Sequence, residues 1–303
     1  MLVTRRRLIA ISAVLATAPA IARANAATRF WTGQALGARA SIRIEHPEAG
    51  AIVARVMAEI DRLENILSLY RANSALCRLN RDGHLQDPPF ELLECLSLAD
   101  AVHLASGGRF DPTVQPLWTL WAQSAAHGTR PDSADVDRVR GNVGWGKVRL
   151  DAAAITLHPG MALTLNGIGQ GYVADRVAAM LEAEGLTDIL IDTGEFRALG
   201  GQPGGDGWPV RLESGERLPL RQRAVATSAP LGTTFDQAAR DGHILDPVTG
   251  MPAPANWRSV SISAPSAAIA DALATAACLM PDAGSILAMN AHFERVRLEA
   301  ASV

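Results

Sequence analysis

The segment that decides the fold runs Thr164-Leu-Asn-Gly-Ile-Gly-Gln-Gly-Tyr-Val-Ala-Asp175. It follows an apolar run, residues 155–165 interrupted by Pro159-Gly160, which predicts a strand. After the three glycines, apolar residues recur with helical spacing over residues 172–181. Glycines at such a junction let the backbone approach a ligand closely, and a helix N-terminus favours an anionic group such as phosphate. A tight strand-to-helix connection without a ligand explains the pattern equally well.

The glycines at positions 167, 169 and 171 have a spacing that matches neither G-x-G-x-x-G nor G-x-x-x-x-G-K-[ST]. The segment therefore predicts neither a dinucleotide-binding Rossmann site nor a P-loop. The formal net charge of -3 argues against a nucleic-acid-binding protein, since such proteins neutralise phosphates with a surplus of basic residues. The 48% of hydrophobic residues can form a substantial core.

The first 24 residues have the composition of a targeting segment. Thr4-Arg-Arg-Arg-Leu-Ile9 is followed by an apolar stretch to Ala20 and then by Ala22-Arg23-Ala24. This order predicts a bacterial secretory signal, and the paired arginines indicate the twin-arginine route. A membrane anchor is the alternative, but an apolar run of roughly a dozen residues is short for a bilayer. We therefore expect a periplasmic mature chain, residues 25–303, without a stable membrane span.

The mature chain mixes helical and strand patterns without strict alternation. This arrangement predicts an α+β fold in a single compact domain over residues 25–303. Helical patterns cover residues 51–69, 90–105, 172–181 and 267–280, and strand patterns cover residues 30–44, 187–192, 208–212 and 259–263.

Two places carry side chains suited to chemistry. Asp271 and Thr275 are four residues apart, so both oxygens lie on one helix face, where they suit Mg²⁺. The helix dipole is an equally good explanation of an aspartate there. His243, with Asp246 nearby, is a candidate proton acceptor, and its alternative role is a structural hydrogen bond to the turn at Asp246-Pro247.

Five segments, in order along the chain, together resemble the ApbE family of Mg²⁺-dependent FAD:protein FMN transferases. They are Leu69-Tyr-Arg-Ala-Asn-Ser with Arg78-Leu-Asn80, Gly108-Arg-Phe-Asp-Pro-Thr-Val-Gln-Pro-Leu117, Leu165-Asn-Gly-Ile-Gly-Gln-Gly-Tyr172, His243-Ile-Leu-Asp-Pro-Val-Thr-Gly250 and Ala270-Asp-Ala-Leu-Ala-Thr-Ala276. The twin-arginine signal, Thr164-Leu-Asn-Gly167 and Ala226-Thr-Ser-Ala-Pro230 are most similar to the NosX-like periplasmic branch, which is linked to nitrous oxide respiration.

The resemblance implies an activity and a set of site residues. The family moves FMN from FAD onto a threonine or serine of an electron-transfer protein as a phosphoester and releases AMP. By resemblance, Gly167, Asp271 and Thr275 form the Mg²⁺ site, and His243 activates the acceptor hydroxyl. The positions implied to surround FAD are Leu36, Tyr70, Arg109, Phe110, Asp111, Thr164, Gln170 and Leu245.

Three of these positions depart from the commonest family pattern. Thr164 stands where the family often has aspartate, Gln170 where it often has lysine, and Leu36 where it usually has methionine. We interpret them as features of the NosX-like branch. Two alternatives to the transferase remain, a Mg²⁺-dependent FAD pyrophosphatase in which water replaces the protein hydroxyl, and a non-catalytic flavin-binding or delivery protein. The pyrophosphatase would use the same residues, whereas mere binding would not require a base.

Overall fold

The structure is a computed structural model that describes residues 29–303, so the predicted signal segment, residues 1–24, lies outside the described residues. The helices are α1 (Ala49–Leu67), α2 (Ala75–Asp82), α3 (Phe90–Ala105), α4 (Gln115–Ala126), α5 (Ser133–Arg140), α6 (Gly169–Ala183), α7 (Ala267–Ala277) and α8 (Ala283–Asn290). The strands are β1 (Arg29–Ala35), β2 (Ala38–Ile44), β3 (His84–Gln86), β4 (Arg149–Leu150), β5 (Ala154–Thr156), β6 (Ile189–Asp192), β7 (Phe196–Leu199), β8 (Trp208–Arg211), β9 (Arg217–Leu220), β10 (Ala224–Ser228), β11 (Ser259–Ala264) and β12 (Arg297–Ser302).

The main sheet has seven antiparallel strands in the order β1-β2-β6-β7-β10-β11-β12. Helix α7 packs on β10 and β11, and α6 packs on β7 and on α7. Along β6 the side chains alternate between the two faces: Ile189 and Ile191 belong to the main core, whereas Leu190 packs in a second cluster with Trp208. The hairpin β8–β9 therefore covers the face opposite the helices. The predicted α+β class is confirmed.

Helix α7 lies in the centre of the core. Every residue in it is buried except Thr275, which is half-buried. Most of its residues are alanines, and their small side chains let the helix backbone come close to the sheet and to α6. Asp271 is therefore an ionisable group inside an otherwise apolar helix, and it requires a partner there.

The predicted strand over residues 155–165 is wrong for most of its length. Only Ala154–Thr156 forms a strand, and the chain from 157 to 165 is irregular because Pro159 and Gly160, which has a φ of +83°, interrupt it. The backbone of Leu163 pairs instead with the amide of Asn80, which donates to its carbonyl at 2.8 Å and accepts from its N–H at 2.7 Å. The Asn80 side chain thus forms the backbone hydrogen bonds that a neighbouring strand would otherwise form with Leu163.

Most other element predictions agree with the structure. The helix over residues 90–105 is confirmed as α3, and the one over residues 51–69 is α1, shifted by two residues towards the N-terminus. The strand pattern over residues 30–44 is the hairpin β1–β2, which turns at Leu36-Gly37. Among residues 29–303, no helix is long and apolar enough to cross a membrane.

Candidate active site

The decisive glycine segment forms the start of α6. Gly169 is the first residue of the helix and Gly171 lies in its first turn. A Cβ atom on Gly171 would lie 2.3 Å from the carbonyl oxygen of Ala267, so only glycine lets α6 approach the N-terminus of α7 this closely. The helix begins earlier than the predicted Tyr172, and Gly171 is needed for packing between the two helices.

We expect Gly171→Ala to destabilise the protein by about 1–3 kcal/mol, the usual cost of overpacking, because the added methyl meets rigid backbone. The measurement is the free energy of unfolding in urea. Gly50→Ala is the matched control, since Gly50 lies in α1 with no atom near its added Cβ, and it should stabilise the protein by about 0.5–1 kcal/mol. Equal stability of Gly171→Ala and the wild type would contradict the packing role.

Asp175, on α6, caps the N-terminus of α7. Its carboxylate accepts the backbone N–H groups of Ala267 at 2.9 Å and Ala268 at 3.0 Å, and the Ser266 hydroxyl at 2.7 Å. The Arg197 guanidinium donates to the same carboxylate at 3.2 Å. A carboxylate at a helix N-terminus is favourable, and here it fixes the position of α7 relative to α6.

The three residues of the predicted metal site lie together between these helices. Asp271 is 3% exposed and accepts the N–H of Gly171 at 3.3 Å. A Cβ on Gly167 would lie 3.1 Å from the Thr275 hydroxyl oxygen and 3.2 Å from the Phe110 ring. Asp271 is the fifth residue of α7 and Ser266 is the N-cap, so the helix-dipole explanation of Asp271 does not apply.

Sequence reasoning missed two neighbours of this group. Glu195, in the β6–β7 turn, is 8% exposed and accepts the N–H of Thr227 at 3.2 Å. The Ser228 hydroxyl lies 3.3 Å from that of Thr275. A glutamate following an apolar strand and a glycine, as in Ile189–Glu195, is the only sequence signal that indicates such a position.

The charges of this group suit a hard cation. Burial raises the pKa of Asp271 to about 7, and burial followed by the charge of Asp271 raises the pKa of Glu195 well above its usual range. Neither carboxylate takes part in an ion pair among residues 29–303. No group of three or more His, Cys, Asp or Glu in that part of the chain is arranged to hold a metal ion, so a metal here would depend on hydroxyl and backbone oxygens as well. Such an oxygen set fits Mg²⁺.

Leu36 lies beside the start of α6, and Tyr70 lies beside Gly37, the next residue after Leu36. The side chain of Leu36 comes within 2.9 Å of a Cβ built on Gly169, and the Tyr70 ring comes within 2.7 Å of one built on Gly37. Leu36 has a φ of +48°, and its N–H donates to Glu64 at 2.7 Å. Tyr70 is 67% exposed, so its ring has a free surface on which a planar ligand can stack.

The loop of Arg109, Phe110 and Asp111 is fixed by its own side chains. Asp111 accepts the N–H of Thr113 at 2.8 Å and that of Trp145 at 3.1 Å, so it has the turn role that commonly precedes proline. Arg109 donates to the carbonyl of Leu279, just beyond α7, at 2.6 Å. These bonds hold the Phe110 ring against the predicted metal site.

Thr164 and Gln170 flank the glycine turn. The Thr164 hydroxyl accepts the N–H of Asn166 at 3.2 Å, and its own N–H donates to the carbonyl of Pro112 at 2.8 Å. The Gln170 side chain lies over Gly194, with its Oε1 at 3.1 Å from a Cβ built there. Both side chains are polar and uncharged, and Gln170 is the second residue of α6, where backbone N–H groups attract anions.

His243 is oriented by a backbone carbonyl. Its Nδ1 lies 3.0 Å from the carbonyl oxygen of Thr233. Because a carbonyl can only accept, Nδ1 carries the proton and Nε2 is left as a proton acceptor. Burial lowers the pKa of His243 below 6.5 and favours this neutral form.

Among the described residues, the hydrogen bonds of Asp246 do not include one to His243. The Asp246 carboxylate accepts the N–H of Val248 at 2.7 Å, and so it closes its own Pro/Gly turn. The hydrogen bond to Thr233 also replaces the alternative in which His243 holds that turn. An aspartate before proline commonly bonds to the backbone that follows it, as Asp246 does.

The loop that leads to His243 is anchored at Asp241, which is 2% exposed and forms a two-point ion pair with Arg130. Beyond His243, Leu245 is buried in an apolar cluster with Leu117 and Trp121. The contacts therefore unite Gly167, Phe110, Asp271 and Thr275 directly, with Leu36 and Tyr70 alongside. His243 and Leu245 lie on a different segment. That segment follows Ser228, the neighbour of Thr275 in the predicted metal site.

Comparison with known proteins agrees with this architecture. The chain is 31% identical to an FAD:protein FMN transferase of Chlamydia pneumoniae over 236 residues, which are 72% of this chain and 74% of the relative. It is 26% identical to an FAD:protein FMN transferase of Salmonella typhimurium over 278 residues, which are 84% of this chain and 79% of the relative.

Solved structures show the same likeness. The apo form of the flavinyl transferase ApbE of Pseudomonas stutzeri superposes with a TM-score of 0.76 and 26% identity, covering 88% of each chain. The sequence profile described as the ApbE family matches residues 36–297, which include both the glycine segment and α7. The chain therefore belongs to the ApbE family.

Proposed function

We propose that this chain transfers FMN from FAD to a threonine or serine hydroxyl of another protein, with Mg²⁺ bound at Gly167, Asp271 and Thr275. The observation that carries the proposal is the buried carboxylate of Asp271, which forms no ion pair within residues 29–303 and lies one helical turn from Thr275, next to the start of α6. Two relatives described above carry the same activity in their names. Bound Mg²⁺ would neutralise charge on the FAD diphosphate and so favour attack at phosphorus.

The residues of the chain divide the work between binding and proton transfer. The positive end of the α6 dipole favours the negatively charged diphosphate, and Tyr70 offers an exposed ring to a planar part of FAD. Nε2 of His243 accepts the proton of the acceptor hydroxyl. The hydroxyl oxygen forms a bond to the phosphorus of the FMN half, the diphosphate bond breaks, and AMP leaves.

Hydrolysis of FAD is the second candidate function, because water can take the position of the protein hydroxyl without any change in these residues. The test incubates the purified chain with FAD, Mg²⁺ and a candidate acceptor, and then determines the mass of the acceptor and the amounts of AMP and FMN. Acceptor mass increased by FMN, with equimolar AMP, supports the transferase. Free FMN and AMP with an unmodified acceptor support the pyrophosphatase. If neither modified acceptor nor free FMN and AMP form, the result supports a delivery protein.

The acceptor is proposed to be a periplasmic or membrane-bound electron-transfer protein. The proposal rests on the predicted signal in residues 1–24 and on the resemblance to the NosX-like branch, which suggests a role in nitrous oxide respiration. The location follows from the signal, because a mature chain exported through the twin-arginine route meets its acceptors outside the cytoplasm.

Export provides a direct test of location. Replacing Arg5 and Arg6 together by lysine should leave the precursor in the cytoplasm, because the twin-arginine route requires the arginine pair. The measurement is the distribution of the chain between periplasmic and cytoplasmic fractions. Arg23→Lys, outside the pair, is the control and should leave export unchanged. Normal periplasmic accumulation of the double variant would exclude the twin-arginine route.

A further inference from the structure

Glu195 is a buried acidic residue whose role the resemblance leaves unassigned. It follows the turn at Thr193-Gly194, and only 8% of it is exposed. One carboxylate oxygen accepts the N–H of Thr227 at 3.2 Å. The next residue along β10, Ser228, places its hydroxyl 3.3 Å from that of Thr275. Strand β10 therefore links Glu195 to the hydroxyl side of the predicted cation site.

The turn that carries Glu195 is also tied to the start of α6. The Thr193 hydroxyl donates to the carbonyl of Gln170 at 3.0 Å, and the Gln170 side chain covers Gly194. Glu195 is thus held against the same helix end whose Gly171 N–H binds Asp271. Glu195, in the turn before β7, and Asp271, on α7, are therefore buried carboxylates from two different segments near the start of α6.

The hydrogen bond to Thr227 does not explain why a charged residue is buried here. A neutral glutamine would accept that N–H equally well through its carbonyl oxygen. A buried carboxylate beside a second one is unfavourable unless a cation or a basic side chain balances it. None of the ion pairs formed within residues 29–303 includes Glu195 or Asp271. A bound divalent cation would balance both charges.

We infer that Glu195 supplies the second negative charge of the cation site formed by Asp271 and Thr275, and this inference rests on the proposed function. In this assignment Glu195 is a positioning residue. Its charge helps to hold the cation in place, and Glu195 itself does not need to contact FAD. The charge of a site and the number of its carboxylates determine how tightly it binds Mg²⁺. Glu195 therefore raises the affinity of the free protein for Mg²⁺.

The test is titration calorimetry of the full mature chain with Mg²⁺ alone, without FAD. The variants are Glu195→Gln and Asp271→Asn, with Glu299→Gln as control because Glu299 is a half-buried glutamate that accepts a hydrogen bond from Ser263 on β11. Glu195→Gln should weaken Mg²⁺ binding roughly 10–100-fold, the range for residues that support a metal site. Glu299→Gln should leave the affinity unchanged.

A second readout separates charge from structure. The melting temperature of metal-free Glu195→Gln should equal or exceed that of the wild type, because the variant keeps the bond to Thr227 and removes repulsion from Asp271. Its gain in melting temperature on addition of Mg²⁺ should be smaller. A purely structural glutamate predicts a lower melting temperature and an unchanged dependence on Mg²⁺, and that result would overturn the inference.

The outcomes distinguish this inference from the proposed function. If Asp271→Asn weakens Mg²⁺ binding and Glu195→Gln does not, the role of Glu195 is refuted while the Mg²⁺ site stands. If the wild-type chain binds no Mg²⁺, both are refuted. If Glu195→Gln weakens binding but the wild type modifies no acceptor, the cation site stands and the transferase proposal fails.

Discussion

Asp271→Asn should abolish Mg²⁺-dependent FMN transfer while it stabilises the metal-free protein. Asparagine has almost the same shape and keeps an oxygen for the N–H of Gly171, but it brings no negative charge to the cation. A metal ion typically lowers a barrier of this kind by several kcal/mol, so the loss of activity should reach at least about 10²–10³-fold. The loss is measured as the single-turnover rate of FMN transfer at saturating FAD and limiting Mg²⁺.

The stability of the same variant should change in the opposite direction. Burial raises the folded-state pKa of Asp271 to about 7 from the usual 3.8, so the folded protein holds this proton more tightly than the unfolded chain does. Ionisation of Asp271 therefore destabilises the metal-free wild type progressively as the pH rises between these two values. The melting temperature of Asp271→Asn should exceed that of the wild type at pH 8 and approach it near pH 4.

Asp206→Asn is the matched control, since Asp206 is an exposed aspartate between β7 and β8. It should change neither the transfer rate nor the melting temperature. Full activity of Asp271→Asn at limiting Mg²⁺ would remove Asp271 from the metal site. A lower melting temperature in the metal-free state would contradict the unfavourable burial of its charge.

His243→Asn should bind FAD and Mg²⁺ nearly as well as the wild type but transfer FMN about 10²–10⁴-fold more slowly, the usual contribution of a general base. The asparagine amide can donate to the carbonyl of Thr233, as Nδ1 of the histidine does, but it has no basic nitrogen. FAD affinity, melting temperature and single-turnover transfer are measured on this variant and on His243→Ala. A loss of transfer fully explained by unfolding or weaker FAD binding would end the catalytic assignment.

The dependence on pH provides an independent criterion for His243. Its pKa is lowered below 6.5 by burial, so the acid limb of the wild-type rate should lie below pH 6.5 and be missing from the variant. The folded state binds this proton more weakly than the unfolded chain does, so the wild type loses stability as the pH falls below 6.5. The stability of His243→Asn should therefore fall less than that of the wild type as the pH is lowered below 6.5.

The sequence predicted those parts of the site that lie on one continuous element. Asp271 and Thr275 share a helix, so their spacing alone placed both oxygens on one face. Helix α3 follows similarly from local pattern. Local signals such as these do not depend on the rest of the fold.

Contacts between distant segments were beyond the sequence. The partner of His243 is the carbonyl of Thr233, and a carbonyl has no residue-type signature. The irregular chain at Leu163 is satisfied by Asn80, which is 83 positions earlier and could be identified only once the fold was known. Glu195 lies near the predicted metal site because β7, the strand that follows it, pairs with β10. No local sequence pattern specifies that pairing.

The cap that Asp175 places on α7 has a consequence for how a ligand is received. Because one carboxylate joins α6 to the first residues of α7, the donor oxygens near Gly167 and on Asp271 belong to a single rigid unit. The conformational entropy lost in bringing these oxygens together is lost when the protein folds. It is not lost again each time an ion binds. Binding to such a unit should release ordered water with little accompanying change in backbone motion, so the backbone order parameters of α6 and α7 from NMR relaxation should be the same with and without Mg²⁺.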